Sequence, residues 1–141
     1  LMNWISMLND SRYFLAITLA ENNTDAAKLA REYELAGVPQ RLPAVVLSEL
    51  YVSVGAGDRP NRNVEKYEQL VGNLPVVDVD DNIARRAGTL QGQHLVSDTK
   101  PNLGVADVTV AATGLVYNEP VVTADLEDFR SVDGLRVVDW S

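Results

Sequence analysis

Cysteine is absent from the 141 residues, and that absence removes thiolate nucleophiles, cysteine-ligated zinc, iron–sulfur clusters and a secreted disulfide framework. Histidine occurs once, which argues against a His-centred triad or a multi-histidine metal site. Lysine is nearly as scarce, with only Lys28, Lys66 and Lys100. No window approaches the roughly 18 to 20 uninterrupted apolar residues of a membrane span, and the first residues lack a basic region followed by an apolar run. A soluble, cytoplasmic protein with no membrane contact is the expectation. Positive charge is outnumbered, 12 Lys+Arg against 20 Asp+Glu, for a net charge of −8. Bulk electrostatics therefore disfavours nucleic-acid binding, and any such activity must be local or mediated by a metal ion. Carboxylates are the chemistry this chain holds in quantity.

The length is one domain's worth, enough for a single core to remove roughly 68% of the unfolded chain's surface from water. Leu1 to Asn9 suits a first strand, and Arg12 to Ala20 suits a buried helix ended by Glu21-Asn22-Asn23. After Thr24 as cap, Ala26, Leu29, Ala30, Tyr33 and Ala36 recur at helical spacing until Gly37 and Pro39 supply stop signals. Arg41-Leu42 reads as a brief extended link. Pro43 suits the first turn of a helix running to about Val54, because its missing N–H costs nothing there. Further helices are predicted over Asn63 to Val71 and Ile83 to Val96, with a strand over Leu74 to Val79 between them. Val105 to Val116 is small and apolar on nearly every side, as a helix buried against a sheet would be. Val121 to Thr123 and Leu135 to Val138 are short apolar runs of the parallel-strand type. Strands alternating with helical segments predict one domain, residues 1–141, built as three α/β/α layers around a central parallel sheet.

In such a sheet, function gathers outside the carboxyl ends of the strands, which sorts the acids. Asp10 follows the first strand and Asp125 lies two residues beyond Val122-Thr123. Asp107 sits near the start of the apolar helix. Glu49 is a lone charge among Val45, Val46, Leu47, Leu50 and Val52, costly to bury without a partner. Carboxylates converging in one pocket raise each other's pKa unless a hard divalent cation neutralises them. Mg²⁺ or Mn²⁺ takes oxygen ligands of this kind, and a carboxylate-held ion beside a phosphate is a phosphodiesterase arrangement. Plainer roles stand beside each of these: helix capping for Asp10, the helix dipole for Asp107, a turn for Asp125, a solvated helix position for Glu49. Asp128 is a candidate fifth acid for the metal, though a capping or surface role before Phe129 is the expectation. Asp78, Asp80 and Asp81 read as a strand end followed by a capping pair. The hydroxyls of Ser11 and Thr123 either meet a metal-bound water or hold loop backbone. His94, beside Gln91 and Gln93, is expected at the surface. Gly55-Ala56-Gly57 lacks a following Lys-Ser/Thr and is a turn rather than a phosphate loop.

At these acids the sequence resembles the PIN-domain ribonucleases, and more narrowly the VapC-like toxins of prokaryotic toxin–antitoxin pairs. The resemblance rests on Asp10-Ser11 with Tyr13-Phe14-Leu15-Ala16, on Val45-Val46-Leu47-Ser48-Glu49-Leu50, on Val105-Ala106-Asp107 with Val110-Ala111-Ala112-Thr113, and on Val122-Thr123-Ala124-Asp125 before Phe129. Four motifs in order cover nearly the whole chain, and Gly134-Leu135-Arg136-Val137-Val138 looks like the family's last strand. The resemblance implies a PIN-like fold and an endoribonuclease. In it Asp10, Glu49, Asp107 and Asp125 hold Mg²⁺ or Mn²⁺, and cleavage leaves a 5′-phosphate. Arg59, Arg62, Lys66, Arg85, Arg86 and Lys100 are the candidates to meet the RNA backbone, with Ser11 and Thr123 beside the site. It also implies a homodimer and a cognate antitoxin whose basic side chain enters the acidic cleft. Exposed-looking Trp4, Tyr51 and Tyr67 agree with self-pairing.

Two alternatives belong to other classes. One is a PIN-like domain without activity that only binds a partner. The other is a receiver-type phosphoacceptor module, which needs a lysine after the last strands, and none follows Val121.

Overall fold

The computed structural model describes residues 7–9, 25–56, 65, 68–69 and 74–140. Asp10, Ser11, Arg59, Arg62, Lys66, Trp4 and Tyr67 lie outside the described residues, as do the helix expected over 12–20 and most of that over 63–71. Five described strands, β1 (Met7–Asn9), β2 (Gln40–Pro43), β3 (Val76–Val77), β4 (Val121–Thr123) and β5 (Val137–Asp139), form one parallel sheet in the order β3-β2-β1-β4-β5. The helices are α1 (Asp25–Leu35), α2 (Ala44–Gly55), α3 (Asp81–Leu95), α4 (Val105–Tyr117) and the short α5 (Leu126–Arg130).

Successive strand residues point to opposite faces, and β4 makes the layering visible. Val121 joins a core with Leu42 of β2 and with Val46, Leu50, Ile83, Leu90, Val108 and Ala111 from α2, α3 and α4, whereas Val122 joins Ala26, Tyr33 and Val38 on the side of α1. In β5, Val137 and Val138 divide between the same two cores. The expected three layers therefore hold, with both sheet faces covered.

The extended link expected at Arg41-Leu42 is instead strand β2, paired with β1 on one side and β3 on the other. Its polar start has a structural cause. Arg41 makes an ion pair with Glu119, which is only 5% exposed, and its guanidinium lies 4.7 Å from the centre of the Tyr117 ring. A charge inside the fold thus answers a charge on the strand, and Leu42 supplies the apolar contact. Pro43 caps α2 rather than entering it, and β3 spans less than the expected 74–79.

Two helix ends settle local readings. Asp80 Oδ1 accepts a hydrogen bond from the Ile83 backbone N–H at 2.9 Å, the expected cap of α3. α4 stops where Asn118 takes the left-handed conformation at φ 54°, returning an N–H from Glu119 to Gly114. The absence of a side chain at Gly114 lets α4 approach the sheet, since a Cβ there would sit 2.9 Å from the Glu119 carbonyl oxygen.

Candidate active site

The strand order reverses between β1 and β4, and such a switch opens a crevice at the carboxyl ends of the strands. β1 ends at Asn9 opposite Val122, so the chain leaves β1 beside the strand that leads to Asp125. Asp125 stands at the N-cap of α5, but its side chain makes no capping hydrogen bond. Its backbone is held from below instead: Thr123 Oγ1 accepts from the Asp125 N–H at 2.9 Å. Thr123 is fully buried, so of the two roles open to its hydroxyl, the structure gives it the backbone-holding one.

Asp107 lies in the first turn of α4, and Asp128 lies one turn beyond Asp125. One carboxylate oxygen from each of Asp107, Asp125 and Asp128 falls within 4.8 Å of the others, and all three residues are half-buried. The Asp128 carboxyl is pushed above the usual carboxylate range, first by burial, then by the charge of Asp125 and a hydrogen bond with it, with Glu127 adding and His94 opposing. Crowded anions out of full water are the physical reason. Asp128, expected to cap or face solvent, is thus part of the trio. The signal was available, because residues three apart on a helix share a face.

Glu49 is not among these three. It is exposed on α2, whose buried line runs through Val46 and Leu50. The apolar neighbours made it look buried, but Tyr51 and Val52 are themselves exposed, so α2 carries apolar residues on its outer face too. The set of Asp10, Glu49, Asp107 and Asp125 is therefore brought together here only at Asp107 and Asp125, with Asp10 outside the described residues.

His94 is not at the surface. It is 1% exposed and completes a buried line with Ile83, Ala87 and Leu90 at spacings of four, three and four. Its Nδ1 donates to the Pro101 carbonyl at 3.0 Å, and Nε2 meets no partner among the described residues. Arg85 and Arg86 are exposed on α3. Lys100 donates to the Ser131 carbonyl at 2.7 Å and pairs with Asp133 at 2.9 Å.

A carboxylate trio at the switch crevice of a parallel α/β sheet supplies the hard oxygen donors that a divalent cation takes. The PIN domain family model matches residues 7–135, and the chain belongs to that family. The tRNA(fMet)-specific endonuclease VapC of Shigella flexneri is 29% identical over 100 residues, covering 71% of this chain and 74% of that protein. The protein of the same name from Salmonella typhimurium is 26% identical over 99 residues, 70% of this chain and 74% of that one. Among solved structures, VapBC2 from Rickettsia felis, bound to a DNA fragment from its promoter, matches with a TM-score of 0.84 at 15% identity, over 96% of this chain and 98% of that one. DNA-bound VapBC from Salmonella typhimurium matches with a TM-score of 0.83 at 20% identity, over 98% of this chain and all of that one. At those identities the structures speak for the fold, which is that of a PIN domain. The family match leaves the receiver-type alternative without support.

Proposed function

We propose that this chain is a metal-dependent endoribonuclease acting as the toxin of a toxin–antitoxin pair in the cytoplasm. The observation that carries the reading is the meeting of three carboxylates at the crevice between β1 and β4. The donor set fits Mg²⁺ or Mn²⁺: it is all oxygen, half-buried, and crowded enough to raise the Asp128 pKa. Asp107, Asp125 and Asp128 would hold the ion, joined by Asp10 and Glu49 as the family resemblance implies. When bound, the ion supplies Lewis acidity at a phosphodiester oxygen and lowers the cost of deprotonating water.

The chain's own residues do the rest. Thr123 fixes the Asp125 backbone, so the carboxylate leaves a rigid strand end rather than a free loop. Asp128, one helical turn beyond Asp125, would add a third oxygen donor from the same face. Water attacks phosphorus in line, the bond to the 3′ oxygen breaks, and the products are a 3′-hydroxyl and a 5′-phosphate. The relatives named for tRNA(fMet) make a transfer RNA the first substrate to try. Silencing by a cognate antitoxin and a homodimeric toxin are what the family resemblance implies for this chain.

Incubating the protein with tRNA(fMet) and with an unstructured RNA, in Mg²⁺, Mn²⁺ or EDTA, tests this. Cleavage with either ion, abolished by EDTA and by Asp107→Asn, is the expected result. A folded protein that cleaves neither RNA with either ion would instead be the PIN-like binding domain.

A further inference from the structure

A groove of about 850 Å³ lies between α3 and the end of α4, with Leu90, His94, Leu115 and Val116 along its floor. One wall is made by Asn82, the adjacent Arg85 and Arg86, Thr89 and Gln93, with a helical turn between successive steps, and it continues to Ser97 and Lys100. From Asn82 to Gln93 this face spans roughly 16 Å at 1.5 Å per residue. Three cations line the groove against one acid, Asp133, on a chain whose net charge is −8. Lys100 is fixed in place by Ser131 and Asp133, so one positive charge is built into the groove rather than free to swing. The acid trio is near in the chain: Ser131 lies three residues beyond Asp128, and His94, which faces the groove, is close enough to act on the Asp128 carboxyl.

We propose that this groove binds the ribose-phosphate backbone of the RNA substrate, with Arg85 and Arg86 as its phosphate contacts and Thr89, Gln93 and Ser97 as neutral hydrogen-bonding partners. The identity of the polymer rests on the ribonuclease reading; the polyanionic character of the occupant does not. Guanidinium groups match phosphate oxygens in pairs, and amides and hydroxyls bind the sugar and phosphate edges that any sequence presents. A cationic strip on an acidic protein has a selective use. It gives a polyanion one favourable path while the remaining surface repels it.

Arg85 and Arg86 are exposed, and Arg85 pairs with exposed Asp81 at 3.7 Å. Replacing both by Gln should therefore leave the fold intact. The measurement is fluorescence anisotropy of a labelled tRNA(fMet) transcript, titrated from 50 to 300 mM salt, with cleavage of the same RNA followed in Mg²⁺ and Mn²⁺. In an Asp107→Asn background, which keeps the RNA whole, R85Q/R86Q should weaken binding roughly tenfold at 150 mM salt. It should also flatten the slope of log affinity against log salt by about 1.4 to 1.8, two phosphate contacts' worth. K28Q/R31Q, which removes the same charge from exposed positions on α1, should change neither.

If both pairs lower affinity alike, or neither does while the wild type binds, the groove proposal is overturned and the nuclease reading stands. Binding through Arg85 and Arg86 without cleavage would keep the groove and remove the nuclease. Neither binding nor cleavage would overturn both. Displacement of the RNA by polyglutamate at equal charge would assign the groove to an acidic protein segment and overturn the proposal.

Discussion

Replacing Asp125 by Asn removes one negative charge from the trio and leaves an amide in place of the carboxylate that shares a hydrogen bond with Asp128. The side chain keeps its shape, it makes no capping bond to lose, and Thr123 holds the backbone N–H rather than the carboxylate. Two like-charge pairs, each with oxygens within 4.8 Å, disappear. At that distance one pair costs about 0.9 kcal/mol in bulk water and about 3.5 kcal/mol at the effective dielectric of a protein surface. Half-buried groups fall between these limits, and Asp128 already relieves part of the repulsion by holding its proton more tightly. A net gain of about 1 to 3 kcal/mol follows for the metal-free protein, or roughly 3 to 10 °C in Tm for a domain of this size. A divalent ion reverses the comparison. At a hundredfold excess over its Kd it stabilises the wild type by about 2.7 kcal/mol, and the variant, one anionic ligand short, gains less. Thermal melts followed by circular dichroism at low salt, in EDTA and in Mn²⁺, read both effects. If Asp125→Asn is less stable than the wild type in EDTA, the carboxylate has a structural role and the repulsion argument is wrong.

Three further outcomes are expected. Because the folded Asp128 pKa is raised, the native state binds more protons than the unfolded state, so metal-free stability should rise as the pH falls from neutral towards the ordinary carboxylate range; urea melts at a series of pH values should show that rise in the wild type and its loss in Asp128→Asn. Arg41→Met leaves the Glu119 carboxylate buried without its partner and should cost about 3 kcal/mol by urea unfolding, with much of it recovered by adding Glu119→Gln. Gly114→Ala should destabilise by about 1 to 2 kcal/mol in calorimetry despite alanine's better helix propensity, because the new Cβ meets Leu135 Cδ1 at 2.8 Å and the Glu119 carbonyl at 2.9 Å.

What the sequence makes legible follows from how local each signal is. α1, α4 and β4 announce themselves through spacing or unbroken apolar character, and their residues enter the core as that pattern requires. β2 escapes such a reading because Arg41 is polar for a reason 78 residues away, at Glu119, while Gln40 donates to the Ala30 carbonyl. His94 is hidden by its sequence neighbours, since Gln93 is exposed and Gln91 donates to the Leu103 carbonyl, yet its place in the line through Ile83, Ala87 and Leu90 is a helical-period signal. Glu49 fails in the opposite direction: apolar neighbours do not imply burial on a helix whose outer face is also apolar. Asp107 and Asp125 were reachable from strand ends and a helix start. Asp128 needed the further step of asking which residue shares a face with Asp125.

The charges of this domain pose a problem that its two polar surfaces answer jointly. On the ribonuclease reading, a polyanionic substrate must approach a chain of net charge −8 and come to rest beside three carboxylates. The trio repels phosphate until its charge is compensated, and a divalent cation is the compensation its oxygen donors fit. The cationic strip on α3 acts at a different stage, because its guanidinium groups are positive at every working pH. It can hold a backbone segment before the scissile phosphate reaches the acids. Binding through the strip weakens with added salt, as counterion release requires, whereas the half-buried trio is screened less. Ionic strength and divalent ion concentration should therefore act on separable steps, salt mainly on capture and the ion mainly on closing the last distance to the phosphodiester.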